Sequence, residues 1–449
     1  MSMRILVQPG SYSCLNFGDV AMCQVGVRRL STIWPGAEVQ IITTDPESLG
    51  KHCPEAFPIP YEGFRDWLQA RTIFTDFCRR FSGRMAKKLE GLEKRMWLQS
   101  PDVGERCVRW KQRIKGSCAP WPALFHEQLQ LADLVVLSGM GGLNDSFKDS
   151  ALCFLDLLEA AISRKIATAI LGQGIGPLRD PELRSRMKQV LPRVDLVALR
   201  ESRTSLPLLA DLGVPSSRMF VTGDDAVELA FENRSRVLGN CIGINFRLAH
   251  YAQMDSDDLV KIREVLVDVV NHLRVPLAPV VISRNPVDSD AKAIRSLMDY
   301  PGFSWSGDLE HVQTADLVRQ IGQCRLVVTG SYHGAVFALS QGIPAVCLAR
   351  SDYYADKFFG LQKQFGDGCS VVVLDRSSNS SVLCQAIVEH WSSADQLRAG
   401  LLAAAKDQID KGYLAYKSLS ELPSLKASRD SKASVISKEL SVGNNCVVQ

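Results

Sequence analysis

Short apolar runs recur along the first half of the chain, and a loop containing glycine or proline follows most of them. The runs predict β-strands at Arg4–Gln8, Leu134–Leu137, Ile166–Leu171, Val194–Ala198 and Met219–Thr222. The first run is followed by apolar residues at helical spacing, namely Val20, Cys23, Val27 and Leu30. Because predicted strands and helices alternate, we expect an α/β fold with a doubly wound, mainly parallel sheet.

A second series with the same pattern occupies the other half of the chain. It predicts strands at Ile242–Phe246, Val280–Ile282, Leu326–Thr329, Ala345–Leu348 and Val371–Leu374, and helices at Ser256–Leu273, Ala315–Ile321 and Gly334–Leu339. The short polar segment Phe231–Gly239 between the two series is typical of an interdomain linker. We therefore expect a first domain at 1–235, a second at 240–423 and a disordered polar tail at 424–449.

Composition excludes several classes of protein. The chain has 449 residues, of which 46% are hydrophobic, and a net charge of only +3, which excludes a histone-like protein and predicts no nucleic-acid partner. No apolar run approaches the length of a membrane span, and the first residues do not resemble a signal peptide, so a cytoplasmic location is expected. The thirteen cysteines have no metal-ligand spacing, and no metal site is predicted.

One segment departs from this pattern. Residues around 75–125 predict a basic helical insertion, with Lys and Arg residues interleaved with Met85, Leu89, Leu92 and Trp97. Such a segment can lie on an anionic membrane surface or face an anionic glycan carrier, or it can be an ordinary solvated helix.

The candidate chemistry lies in loops after strands, where open α/β sheets bind ligands. No loop has the phosphate-loop pattern or a complete dinucleotide-binding pattern, which disfavours a kinase and a dehydrogenase. The segment 327–338 predicts a buried strand, a turn of small residues and a helix that begins near His333. An imidazole beside free backbone donors can hold a phosphate and transfer a proton, although the histidine can equally cap or pack the turn. Arg247 and Arg284 follow neighbouring predicted strands and suit a carboxylate or phosphate, or else lie on the surface.

Several motifs, taken in order, resemble the polysaccharide pyruvyltransferase family. They are Asn16-Phe17-Gly18-Asp19, Ser138-Gly139-Met140-Gly141-Gly142-Leu143-Asn144-Asp145, Gly172-Gln173-Gly174-Ile175-Gly176-Pro177, Ala198-Leu199-Arg200-Glu201-Ser202, Thr222-Gly223-Asp224-Asp225-Ala226, Thr329–Ala338, Gly342-Ile343-Pro344-Ala345-Val346 and Tyr353-Tyr354-Ala355-Asp356-Lys357-Phe358. Each motif is weak alone, but the joint order is specific and spans roughly 4–365.

The resemblance implies two Rossmann-like halves facing a cleft, as in GT-B glycosyltransferases. It also implies transfer of the enolpyruvyl group of phosphoenolpyruvate to two sugar hydroxyls, with release of phosphate and with no cofactor. On this reading His333 is the acid and Asp19 a base or merely a helix cap. The donor would be bound by Arg247, Arg284, Ser331, Tyr332, Gly334, Arg350 and Lys357, and the acceptor by Asn16, Gly141, Gly142 and Asn144.

One residue departs from the resemblance. Many family members have arginine two residues before the histidine, where this chain has Ser331. The donor anion would then need Arg284 or Arg350, or the donor would differ. Two other functions therefore stay open at this point: a GT-B glycosyltransferase that uses a nucleotide sugar, and a non-catalytic sugar-binding homologue. The acceptor glycan can be free or lipid-linked, and the latter would suit peripheral contact with the inner face of the membrane.

Overall fold

The first half of the chain forms one parallel sheet. The computed structural model describes residues 2–70, 121–247, 253–286, 289–300, 303–374 and 380–425. The strands are β1 (Arg4–Gln8), β2 (Glu38–Thr43), β3 (Phe57–Pro60), β4 (Leu134–Leu137), β5 (Ala167–Gln173), β6 (Leu196–Leu199) and β7 (Met219–Val221). All neighbours are parallel, in the order β3-β2-β1-β4-β5-β6-β7.

Helices cover both faces of this sheet. They are α1 (Phe17–Ile33), α2 (Pro46–His52), α3 (Tyr61–Ala70), α4 (Trp121–Leu131), α5 (Lys148–Ser163), α6 (Pro181–Val190), α7 (Ser205–Asp211) and α8 (Ala226–Glu232). In β1, Ile5 and Val7 belong to one buried cluster and Leu6 to another. The strands therefore bury both faces, as expected for a doubly wound parallel sheet.

The second half repeats this architecture with a five-stranded parallel sheet in the order β12-β11-β10-β8-β9. Its strands are β8 (Cys241–Asn245), β9 (Leu277–Pro279), β10 (Cys324–Thr329), β11 (Ala345–Ala349) and β12 (Cys369–Val373). Its helices are α9 (Ser256–Leu273), α10 (Asp290–Met298), α11 (Thr314–Ile321), α12 (Tyr332–Ser340), α13 (Asp352–Phe365) and α14 (Ser380–Ser418). The expected α/β class with two Rossmann-like sheets is confirmed.

The strand predicted at Val280–Ile282 is wrong in position, because β9 ends at Pro279. Val280 still donates its backbone N–H to Ile244 of β8 at 2.9 Å, and the residues after it pair with the first half. Phe17 donates its backbone N–H to Ile282 at 3.0 Å, and the N–H of Arg284 bonds Leu15 at 2.8 Å. The backbone groups of Ile282 and Arg284 therefore form hydrogen bonds with the first half of the chain rather than with a neighbouring strand.

Helix α14 joins the two halves. Leu383 and Ile387 pack in the core of the second sheet, whereas Ala415 and Tyr416 pack in the core of the first. The expected second domain, 240–423, contains all the residues of this helix. The basic insertion is described only from Trp121 onward, within α4, and the rest of it lies outside the described residues, as does the tail after residue 425.

Candidate active site

The site lies where helix α12 of the second half meets helix α1 of the first. Strand β10 ends at Thr329, and the turn that follows is held by the Thr329 side chain, whose Oγ1 accepts the Ser331 N–H at 2.9 Å. Helix α12 then begins, which places His333 in its first turn. A Cβ added at Gly18 of α1 would lie 2.6 Å from His333 Cε1, so only glycine allows this approach.

Asp224 faces the His333 imidazole from the first half. It follows β7, and its Oδ1 accepts the backbone N–H of Ala226 at 2.9 Å. Its Oδ2 lies 3.6 Å from His333 Nε2. Burial opposes ionisation of Asp224, but the nearby His333 imidazole and the charge of Arg200 outweigh it, so the pKa of Asp224 is below its ordinary value. The pair therefore favours the carboxylate form of Asp224 beside the His333 imidazole.

Arg200 follows β6 and reaches the same place. Its guanidinium lies 3.7 Å from Asp224 Oδ2 and 4.1 Å above the ring of Tyr332. Burial lowers the pKa of Arg200, but Tyr332 and Asp224 more than compensate, and the net shift is upward. Gly141 and Gly174 leave room for this side chain, since a Cβ at either position would lie within 3 Å of it. Arg200 is thus a buried cation at the meeting point of the two halves.

Four buried polar side chains around this point each have an atom with no hydrogen-bond partner in the described parts of the chain. The atoms are Arg200 Nη2, Asp224 Oδ2, Tyr332 Oη and His333 Nε2. Buried polar atoms without a partner are rare in folded proteins, because each carries an uncompensated desolvation cost. A cation, a carboxylate, a phenol and an imidazole therefore converge with unused hydrogen-bonding capacity.

Asp19 and Lys357 extend the cluster. Burial raises the pKa of Asp19, and the charges of His333, Lys357 and Arg247 only partly offset this. Burial and the nearby Arg200 hold the pKa of Lys357 well below its ordinary value. Lys357 also bonds the Tyr353 hydroxyl, which in turn donates to the Gly141 carbonyl at 3.0 Å. Asp19, His333 and Lys357 thus lie close enough to influence one another's charge.

The three predicted donor arginines have other contacts. Arg247 donates from Nε and Nη2 to Asp290, at 2.7 and 3.0 Å. Arg284 bonds the carbonyls of Cys14 and His311 at the contact between the halves. Arg350 lies 3.5 Å from Asp258 and donates to the Leu374 carbonyl. Of the three, Arg247 acts electrostatically on Asp19, and binding of the donor by any of them stays a prediction.

The predicted acceptor residues also have structural contacts. Asn16 caps α1 by accepting the Gly18 N–H at 3.0 Å. Asn144 accepts the Ser146 N–H at 2.8 Å and donates to the Gly141 carbonyl. Gly142 packs against Met140 and Phe154, and Gly334 against Thr329. Sugar binding by Asn16, Gly141, Gly142 and Asn144 stays a prediction.

Two side chains in the cluster were not predicted to belong to the site. Arg200 and Asp224 were identified within motifs, but no role was assigned to them. A usable signal was present, because both directly follow predicted strands of one parallel sheet.

Within the ranges that the structure covers, no group of His, Cys, Asp and Glu could hold a metal ion. In the same ranges no helix is long and apolar enough to cross a membrane.

Solved structures share this architecture. A putative UDP-N-acetylglucosamine 2-epimerase from Listeria monocytogenes matches with a TM-score of 0.54 and 11% identity, covering 92% of this chain and 94% of that one. Os79 from O. sativa in complex with UDP matches with a TM-score of 0.51 and 12% identity, covering 92% and 100%. The S. aureus MnaA structure with UDP has a TM-score of 0.51 and 11% identity, covering 92% and 94%. At these identities the likeness shows the fold alone, and the fold is GT-B.

The sequence itself identifies the family. No curated protein gives a significant match. The family described as Polysaccharide pyruvyl transferase matches residues 16–352, which include Asp19, Arg200, Asp224 and His333. The family resemblance inferred from the ordered motifs is therefore confirmed. Because this match covers most of the chain, the protein belongs to the polysaccharide pyruvyl transferase family and is a transferase with a sugar or polysaccharide acceptor.

Proposed function

We propose that the protein transfers the enolpyruvyl group of phosphoenolpyruvate to two hydroxyls of a sugar, forming a pyruvate ketal and releasing phosphate. The observation that carries this proposal is the convergence of Arg200, Asp224, Tyr332 and His333, each with an unpartnered polar atom, between the two halves. A small, highly charged donor needs such a cation and such a proton source side by side.

The chemistry divides among these side chains. His333 donates a proton to the methylene carbon of the donor, and the C=C electrons form the new C–H bond. The adjacent carbon then carries positive charge and accepts a sugar hydroxyl. Phosphate then departs, and the second hydroxyl attacks the same carbon, which completes the ketal. One hydroxyl proton replaces the proton that His333 lost, and the other leaves with phosphate. Asp224 stabilises the protonated imidazole, since it lies 3.6 Å from Nε2.

Arg200 holds the donor anion in this proposal. Its buried guanidinium is next to both Asp224 and Tyr332, and it lies against Gly141 and Gly174 in the glycine loops of the first half. A guanidinium suits the bidentate recognition of carboxylate and phosphate. Arg200 supplies the positive charge that many family members have at the position of Ser331. Arg247 and Lys357 add positive potential around Asp19. Asp19 accepts the proton of one acceptor hydroxyl and passes it to the leaving phosphate.

The test is phosphate release from phosphoenolpyruvate with a panel of sugar acceptors, with the ketal methyl group detected by NMR. We expect His333→Gln and Arg200→Met to lower kcat/KM by at least about 100-fold, as for loss of a catalytic proton donor or charge stabiliser. Arg184→Met removes an exposed ion pair with Asp211 and is the matched control. Consumption of a UDP-sugar with no turnover of phosphoenolpyruvate would contradict the proposed donor.

The cellular setting is part of this proposal. We place the reaction on the cytoplasmic side, at the inner face of the membrane when the acceptor is lipid-linked, because donor and carrier would meet there. Fractionation of cells that produce the protein, followed by washing of the membranes with salt, tests this placement. Release at high salt supports a peripheral contact through basic residues.

A further inference from the structure

Tyr416 reaches the active-site region from the far end of α14. The helix starts in the second half and ends in the first, where Tyr416 is buried. Its hydroxyl donates to Asp225 Oδ2 at 2.7 Å. Asp225 is the residue after Asp224, the carboxylate that faces His333. A residue near the end of α14 thus contacts the residue that follows Asp224, the carboxylate facing His333.

Asp225 is also held by a residue of α1. Arg29 donates from Nη1 to Asp225 Oδ1 at 2.7 Å and from Nε to Glu228 Oε2, also at 2.7 Å. Arg29 is itself only 3% exposed and lies between the rings of Tyr413 and Tyr416, at 4.8 and 5.0 Å from their centres. Both oxygens of Asp225 are therefore fixed by neighbours on two different helices.

The two adjacent carboxylates are mechanically linked. Asp224 and Asp225 share a peptide bond at the start of α8, where Asp224 Oδ1 bonds the Ala226 N–H. Rotation or retreat of Asp225 would turn this peptide and move Asp224 Oδ2 relative to His333 Nε2, now 3.6 Å away. A displacement of about 1 Å at a reacting group costs roughly 100-fold in rate.

We propose that Tyr416 is a positioning residue that, by anchoring Asp225, holds Asp224 at the distance from His333 that proton transfer needs. For its kinetic readout this inference rests on the proposed function. It gives α14 a role in the reaction, since the helix couples the second half to the catalytic carboxylate of the first. Nothing in the family match assigns such a role, because the match ends at residue 352.

The charge of Asp225 supplies a distinguishing readout. The groups that face it are Arg29 from α1, Tyr416 from α14, and Asp224 and Glu228 beside it in the chain. Burial raises the pKa of Asp225 to about 6, while Arg29 and the Tyr416 hydroxyl oppose that rise. Removal of the hydroxyl raises the pKa of Asp225 further. The carboxyl then stays neutral to higher pH and is bound less firmly by Arg29.

The experiment compares Tyr416→Phe with the control Tyr413→Phe. Tyr413 lies on the same helix and over the same arginine, but its hydroxyl bonds Glu228, at 3.1 Å. We expect Tyr416→Phe to lower kcat about 3-fold at pH 6.5 and to leave it within twofold of wild type at pH 8.5, with the KM for phosphoenolpyruvate unchanged. A rise of about one pH unit in the pKa of Asp225, from about 6, reduces its ionised fraction at pH 6.5 by about that factor. Tyr413→Phe should retain the wild-type profile.

Two outcomes would overturn the inference. One is a wild-type pH profile in Tyr416→Phe. The other is an equal loss of kcat at every pH together with a lower Tm, because destabilisation alone would explain that result. Asp225→Asn provides a second variant, because a neutral side chain there should keep kcat low at both pH values. Full activity of Asp225→Asn at pH 6.5 would also refute the inference.

A readout without turnover separates this inference from the proposed function. If the wild-type protein releases no phosphate from phosphoenolpyruvate, the proposed function fails. The ¹³C-labelled His333 ring, assigned with His333→Gln, still reports on its own surroundings by NMR. We expect its Cε1 signal to move in Tyr416→Phe and not in Tyr413→Phe. An unmoved signal in both variants contradicts positioning by Tyr416.

Discussion

Gly18→Ala places one methyl group against the imidazole of His333. The added Cβ would lie 2.6 Å from His333 Cε1 and closer still to two other ring atoms, whereas carbon atoms in contact lie roughly 3.5–4.0 Å apart. The ring must therefore withdraw by more than about 1 Å, or the two halves must separate by that much. Since Asp224 Oδ2 is 3.6 Å from His333 Nε2, either movement changes the geometry that the proposed proton transfer needs.

The expected loss follows from this displacement. A misplacement of about 1 Å costs on the order of 100-fold in rate, so kcat should fall by about that factor. Overpacking costs stability by about 1–3 kcal/mol, which the better helix propensity of alanine, about 1 kcal/mol, partly offsets. The protein should therefore stay folded while losing activity.

The assay combines initial rates of phosphate release with thermal unfolding. Gly400→Ala is the control, because it lies within α14 and an added Cβ there meets nothing within 4 Å. That variant should be fully active and about 1 kcal/mol more stable. Wild-type kcat in a folded Gly18→Ala protein would refute the close packing of His333 against α1.

Three further predictions concern stability and metal dependence. Asp225 ionises at an ordinary pKa of 3.8 when unfolded but at about 6 when folded, so the folded state binds more protons between these values and stability falls as pH rises. Between pH 4 and pH 7, wild type should lose about 2 kcal/mol more than Asp225→Asn in urea unfolding, and equal losses would contradict the burial of this charge. Asp290 is fully buried and accepts bonds from Arg247, Asn245 and two backbone N–H groups. Asp290→Ala should therefore cost about 3–5 kcal/mol in urea unfolding, and a loss below about 1 kcal/mol would be inconsistent with this network. A chelator should leave phosphate release unchanged, and recovery of lost activity by added metal would show a metal requirement.

Local pattern predicted the strands that lead to the site. Strands β1 and β4 and helix α9 have the predicted bounds, because short apolar runs and helical spacing are properties of neighbouring residues. The pattern did not predict β3, whose Phe-Pro-Ile-Pro sequence is tolerated because it is an edge strand. It also could not show that α14 packs on two cores, since those cores are built by residues far away in the chain.

The candidate site shows more clearly what the sequence predicts and what only the tertiary structure determines. The sequence placed His333 at a helix start after a strand, and it placed Arg200 and Asp224 after strands of the other sheet. Only the tertiary structure brought the three together, because the contact needs glycine at position 18 and small residues beside the guanidinium. Asn144 is the opposite case, since its neighbours in the chain take up its amide as a cap. Periodicity determines which residues start a helix or end a strand, whereas packing across the cleft decides which of them meet.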